Sequence, residues 1–319
     1  MIAAALLLLL PFPQQSADCT PQSLRPLHLI SSDRTLTGDE LLRIGDTHEY
    51  QRHFPETLTY YQLALSTFRE RKQARGIATA LVRIARVYEQ QDKFPEAGIA
   101  IREAVPILAR SSDRIAYAQA LLIMGRVSSR LGQFEDARES LTQAAGLFDQ
   151  ANDRRGWNDA LVHLGLLQVG DGLSEPGLAA LQQARQDART RQDRHQELST
   201  IVALGTAHWI LDRVTDARRY YEEALPLAEQ ERDMILETTL RLRLAHLYDR
   251  EGKQNEAIDS SKRARVLAQT IRDPATEAAA WSLLAHLYRD VGQSAEAEES
   301  EQRALLIYGH RQTLVHGGR

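Results

Sequence analysis

Apolar positions along this chain keep a helical spacing, and the pattern they make returns every forty residues. Ala64, Ala104, Ala144, Ala184, Ala224, Ala264 and Ala304 form an unbroken series at that interval. Twenty residues before each stands an aliphatic residue or methionine: Ile44, Ile84, Met124, Leu164, Leu204, Leu244 and Leu284. Each of those is followed by a glycine or alanine, namely Gly45, Ala85, Gly125, Gly165, Gly205, Ala245 and Ala285. Self-similarity at a fixed period predicts one supersecondary unit stacked on copies of itself. Within one period the apolar spacing runs from Arg114 to Leu131, breaks at Gly132-Gln133 and restarts at Phe134. Two helices of about 17 residues, each roughly 25 Å long, are therefore joined by a short break into an antiparallel hairpin. Strand-like alternation is absent, so the expected fold is all-α.

The recurrence of small residues has a steric cause. Where two helices cross closely, only glycine or alanine lets the backbones approach, and a larger side chain overpacks the crossing. The second helix repeats the demand at Thr57, Ala97, Ala137, Gly177, Ala217, Ala257 and Ala297, with Tyr61, Ile101, Leu141, Leu181 and Tyr221 as the bulky partners. Asp113, Asp153, Asp193, Asp233 and Asp273, again forty apart, are placed to cap the following helix. Pro274, Pro55 and Pro95 suit first-turn positions, where a missing N–H costs little. Pro106 and Pro226 fall well inside second helices, and a local bend is expected there.

These marks resemble the tetratricopeptide repeat. The likeness rests on the Leu-Gly/Ala pair, an aromatic or substitute three residues on (Tyr88, Tyr248, Tyr288, His48, His208), the second small residue and the closing alanine. It spans about residues 36–316 as seven tandem units, at about 36–73, 74–113, 114–153, 154–193, 194–233, 234–273 and 274–312. The forty-residue period is similar to that of kinesin light chains and of many bacterial regulatory proteins. The resemblance implies a right-handed α-solenoid whose first helices line a concave groove for a partner protein. The last helix, with Glu301 where Tyr or Leu stood earlier, looks like a polar terminal cap.

Composition changes this picture little. A net charge of −4 and an apolar fraction of 43% are ordinary for a soluble protein and demand neither nucleic acid nor an anionic membrane. The ends differ from the body. Residues 1–10 form an apolar run too short to span a bilayer and suited to a secretory signal. Residues 1–17 are accordingly read as a signal peptide, implying a periplasmic or secreted protein; without that signal the chain is cytoplasmic. Residues 18–35 are read as a linker and 313–319 as a tail. Cys19, the single cysteine, excludes an internal disulfide.

Catalytic signatures are missing: there is no phosphate loop, nucleophile elbow or His-Glu-x-x-His. No enzyme activity and no cofactor are expected. His246 and His286 stand in near-copies, Leu244-Ala-His-Leu-Tyr248 and Leu284-Ala-His-Leu-Tyr288; duplication explains them without a metal, and no Cys or carboxylate is read at ligand spacing beside either one. A binding surface is the stronger expectation. The residues facing the groove are read as Arg43, Arg83, Arg86, Arg126 and Arg130, then His163, Leu166, Val169, Thr206, Trp209 and Ile210, then Arg243, His246, Arg250, His286 and Arg289. Arginine forks grip carboxylates bidentately and tryptophan anchors interfaces, so a carboxylate-bearing protein or peptide is the expected partner. The competing expectation pairs these arginines with acids one helical turn away, Asp39, Asp46, Glu49, Glu89, Asp249 and Asp290 lying near the same face. Two other roles remain open: the regulatory part of a larger bacterial protein carrying a caspase-like protease or other effector, and a self-assembling repeat.

Overall fold

The computed structural model describes residues 36–316, with side chains to Gly309. The expected signal, linker and last tail residues lie outside that range. Fourteen helices and no strand occupy the described residues. In chain order they are α1 Gly38–Tyr50, α2 Phe54–Glu70, α3 Ala74–Gln90, α4 Phe94–Ala109, α5 Arg114–Arg130, α6 Phe134–Gln150 and α7 Arg154–Gly170. There follow α8 Ser174–Thr190, α9 Arg194–Ile210, α10 Val214–Glu231, α11 Met234–Arg250, α12 Gln254–Thr270, α13 Pro274–Asp290 and α14 Ser294–His316. Odd-numbered helices are the first of each hairpin and are called A helices; even-numbered ones are B helices. The last helix continues through the residues the sequence suggested would fray, and it exposes Leu305, Leu306 and Tyr308 beside its acidic first half.

The breaks between helices recur almost without variation. A residue with positive φ stands at positions 52, 72, 92, 132, 152, 172, 192, 212, 232, 252, 272 and 292, one every twenty residues except at Ser112. Such a left-handed residue just past a helix end closes a Schellman-type turn, seen where the His53 amide donates to the His48 carbonyl at 2.9 Å. Glycine takes four of these positions; Arg, Lys, Asp, Asn and Gln carry the rest. At the exception the turn is rewired, and the Asp113 amide donates to Ser111 Oγ at 3.2 Å. All five periodic aspartates cap as expected: their carboxylates accept from the amides of Ala116, Gly156, Gln196, Leu236 and Thr276 at 3.0–3.2 Å. Both internal prolines face outward, and α4 and α10 run on past them to Ala109 and Glu231. A carbonyl released on a solvent-facing side can be hydrated, so the helix need not stop.

The chain divides into two compact lobes, the first ending at Ala180 and the second beginning at Leu181. In the first, Phe68, Leu81, Ile101, Leu121, Leu141 and Phe148 are buried along the hairpin stack. In the second, Leu198, Ile201, Leu204, Tyr221, Leu240 and Leu244 are fully covered. Among the described residues, the substantial contacts that skip a neighbouring helix are all between A helices: α1–α3, α3–α5, α5–α7 and α11–α13. Within each lobe the A helices thus form a layer in direct mutual contact.

The small residues sit at the crossings. A Cβ on Gly45 would come within 2.3 Å of the Tyr61 ring, and one on Gly205 within 2.5 Å of the Tyr221 ring. The fourth hairpin has glycine on both sides, and a Cβ on Gly177 would lie 2.6 Å from the Gly165 carbonyl oxygen. Backbone cannot rotate aside as a ring can. Gly177→Ala is therefore expected to cost about 1–3 kcal/mol. Gly146→Ala, on an exposed stretch of α6 with nothing within 4 Å, is expected to stabilise by about 0.5–1 kcal/mol. Thermal and urea unfolding followed by circular dichroism compares the two; equal effects would refute the close crossing.

Candidate functional site

Stacking sets a simple rule for the A-helix layer. Because neighbouring A helices are offset by three residues, a side chain meets the one 37 positions earlier. Arg83 pairs with Asp46 at 2.7 Å, and Arg86 grips Glu49 through two bonds of 3.0 and 2.9 Å. Arg126 holds Glu89 in the same forked manner, its Nε donating at 2.7 Å. All three partners are among the acids the competing reading named, but they stand in the preceding repeat and not one turn away on the same helix. The pairing runs between repeats.

The first lobe contains six of the predicted site residues. Arg130 lies over the Phe94 ring at 4.4 Å and 3.5 Å from Asp92, and burial lowers its pKa. Arg43 is exposed and forms no ion pair among the described residues. Tyr61 completes a polar network: its hydroxyl lies 2.7 Å from both Asp46 and Glu49. Burial raises the Tyr61 pKa, and the two acids push it further. The Arg83 guanidinium lies 5.8 Å from the centre of the same ring. Three of the arginines expected to await a partner's carboxylates are thus already engaged by this chain's own. His163 is half-buried, and desolvation holds its pKa well below 6.5, with the Arg126 charge acting in the same direction.

The second lobe differs in one decisive substitution. Arg243 is the counterpart of Arg83 and Tyr221 of Tyr61, four repeats on, but Thr206 stands where Asp46 stood. Arg243 Nη1 donates to Thr206 Oγ1 at 2.9 Å and to the Tyr221 hydroxyl at 3.0 Å, and its guanidinium lies 5.5 Å from the Tyr221 ring centre. Both partners are neutral. Among the described residues Arg243 has no carboxylate partner, so its charge stays available.

On the same layer Trp209 meets the His246 ring edge-on, with centroids 6.3 Å apart. His246 lies one turn beyond Arg243, at the 37-residue spacing from Trp209. Desolvation lowers the His246 pKa, opposed by Asp249 and assisted by His286. Arg250 reaches Asp212 at 2.6 Å and Arg289 reaches Glu301 at 3.1 Å, both pairs on exposed surface. His286 lies between Asp249 and Asp290, so carboxylates do stand at ligand spacing beside it, contrary to the sequence reading.

The structure thus brings Trp209, Arg243 and His246 together, whereas the first-lobe arginines form an internally compensated set. Sequence reasoning named Thr206 as a groove residue and Tyr221 as a crossing residue but paired neither with Arg243; Leu166, Val169 and Thr206 are in fact buried. A signal existed: with a forty-residue period and a three-residue offset, each partner can be found by subtracting 37.

Depression of the His163 pKa has a testable sign. The histidine stays neutral in the fold but gains a proton when the chain unfolds near its ordinary value of 6.5. Its stabilising effect is present above that value and declines as pH falls towards the folded pKa. The thermal midpoint is expected to fall from about pH 7 to about pH 5, and His163→Leu to flatten part of that slope. An unchanged slope in the variant would exclude His163 as its source.

Comparison with known proteins follows this geometry. Residues 76–150 and 198–231 match family models described as tetratricopeptide repeat. No curated protein matches the chain. Among solved structures it is similar to aspartyl phosphate phosphatase F from Bacillus subtilis, at 14% identity and a TM-score of 0.63, covering 85% of this chain and 70% of that one. It is also similar to the Rap conjugation gene regulator of plasmid pLS20 in complex with a Phr peptide, at 17% identity and TM-score 0.62, covering 88% and 76%. Repeats of a kinesin light chain from Podosopora anserina superpose over 61% of this chain and 96% of theirs, at 15% identity and TM-score 0.51. At such identities the likeness establishes an all-α helical-repeat solenoid fold. One relative is named as an enzyme and another as a peptide-bound regulator, so the fold alone does not choose between those roles.

Proposed function

We propose that this tetratricopeptide-repeat protein is a non-catalytic scaffold that holds a carboxylate-bearing segment of a protein partner on the A-helix layer of its second lobe. The observation that carries the proposal is Arg243. Its guanidinium is fixed by two neutral hydroxyls and balanced by no acid of this chain among the described residues. Hydroxyls orient the fork without neutralising it, which suits capture of an incoming carboxylate. Trp209 and His246 lie beside it and offer the apolar and ring surface that anchors a peptide. The peptide bound by the Rap regulator of similar fold agrees with a peptide-sized ligand.

The first-lobe arginines have a different part in this reading. Arg83 and Arg86 tie the second repeat to the first, and Arg126 ties the third to the second. Reversing their charge would set acid against acid within the stack, so a loss of binding there would not identify a contact.

Selection of a displayed random-peptide library against the full chain tests the proposal. Enriched peptides are expected to carry Asp, Glu or a free C-terminal carboxylate. Arg243→Gln is expected to weaken them by about tenfold or more, as loss of a charge-assisted bond of about 1.5–3 kcal/mol requires. Trp209→Ala is expected to do the same, with helicity unchanged in both variants. Peptides that bind Arg243→Gln as tightly as the parent would overturn the assignment.

A further inference from the structure

A second cluster on the A-helix layer of the second lobe has a different chemistry. His286 Nε2 lies 3.6 Å from Asp249 Oδ2 and 3.5 Å from Asp290 Oδ2. One ligand atom from each of the three side chains falls within 4.8 Å of the others. A metal held about 2.1 Å from a nitrogen and an oxygen, at the tetrahedral angle, separates those two atoms by roughly 3.4 Å. Both measured separations are close to that value.

The stack itself creates the arrangement. His286 stands 37 positions after Asp249, in the register that joins Arg86 to Glu49 and Arg126 to Glu89. Those earlier positions carry a guanidinium, which has no lone pair to donate. Here the same position carries an imidazole, which has one when neutral. Asp290 adds its carboxylate from one turn further along α13. Asp249 is already oriented, because Gln254 Nε2 donates to its Oδ1 at 3.3 Å and leaves Oδ2 facing the histidine. Such outer hydrogen bonds are what hold a ligating carboxylate in place.

We propose that Asp249, His286 and Asp290 bind a divalent transition-metal ion of the zinc type, linking α11 to α13. One nitrogen and two oxygen donors favour such an ion over magnesium or calcium, which prefer oxygen alone. Three protein ligands leave a further position for water.

Isothermal titration of zinc chloride into the full chain at neutral pH, with thermal unfolding in parallel, tests this. One equivalent is expected to bind with micromolar affinity and to raise the unfolding midpoint, and EDTA to reverse both. His286→Gln and Asp290→Asn are each expected to weaken binding by about tenfold or more. Asp290 is exposed at the end of its helix, so its variant separates ligand loss from misfolding. His53→Gln removes an exposed histidine of the first lobe and is expected to leave the affinity unchanged. Absence of zinc binding at 100 μM would overturn the site, as would full-strength binding by Asp290→Asn or loss of binding in His53→Gln.

Discussion

Close crossing of two helices at a pair of small residues is the constraint on which the rest of this structure depends. It fixes the distance between the helices of a hairpin, and through that the pitch at which hairpins stack. Gly165 and Gly177 show the limit, where a single added carbon would strike a backbone carbonyl. Elsewhere an alanine or a ring fills the gap, as Tyr61 does against Gly45. Each hairpin buries one side against its predecessor and offers the other to its successor, so the repeats share one geometry and one set of polar contacts.

Polar chemistry follows from that pitch. Within each lobe a constant offset between A helices gives a position a fixed neighbour in the preceding repeat, and the residue types at the two positions decide what forms. Arginine over glutamate gives a forked ion pair; arginine over threonine gives an oriented but uncompensated charge; histidine over aspartate gives a lone pair beside a carboxylate. The same scaffold therefore supports cohesion in the first lobe and the recognition chemistry proposed for the second. Partly exposed arginine–glutamate pairs such as these are screened by solvent and add less net stability than their distances suggest. Their clearer effect is on register, since a slipped repeat would leave both charges without partners.

Much of this was legible in the sequence. The all-α repeat fold, the crossings and the aspartate caps each reflect a local requirement: a helical period, a missing side chain, an orphan amide. The joints were less legible, because most left-handed positions carry Arg, Lys, Asp, Asn or Gln rather than glycine and give no composition signal. For the site, the sequence reading named Trp209, Arg243, His246 and His286 among its groove candidates but treated all the arginines alike. Arg86 and Arg243 look equivalent until their neighbours 37 positions back are known to be Glu49 and Thr206.

The chain by itself determined which segments are helices, where they stop and which faces are apolar, since those follow from contacts within a turn or two. Only the tertiary structure decided which charges are free and which are already paired. Ion pairing across repeats depends on the offset between stacked helices, a distance set by packing and absent from any single repeat read alone.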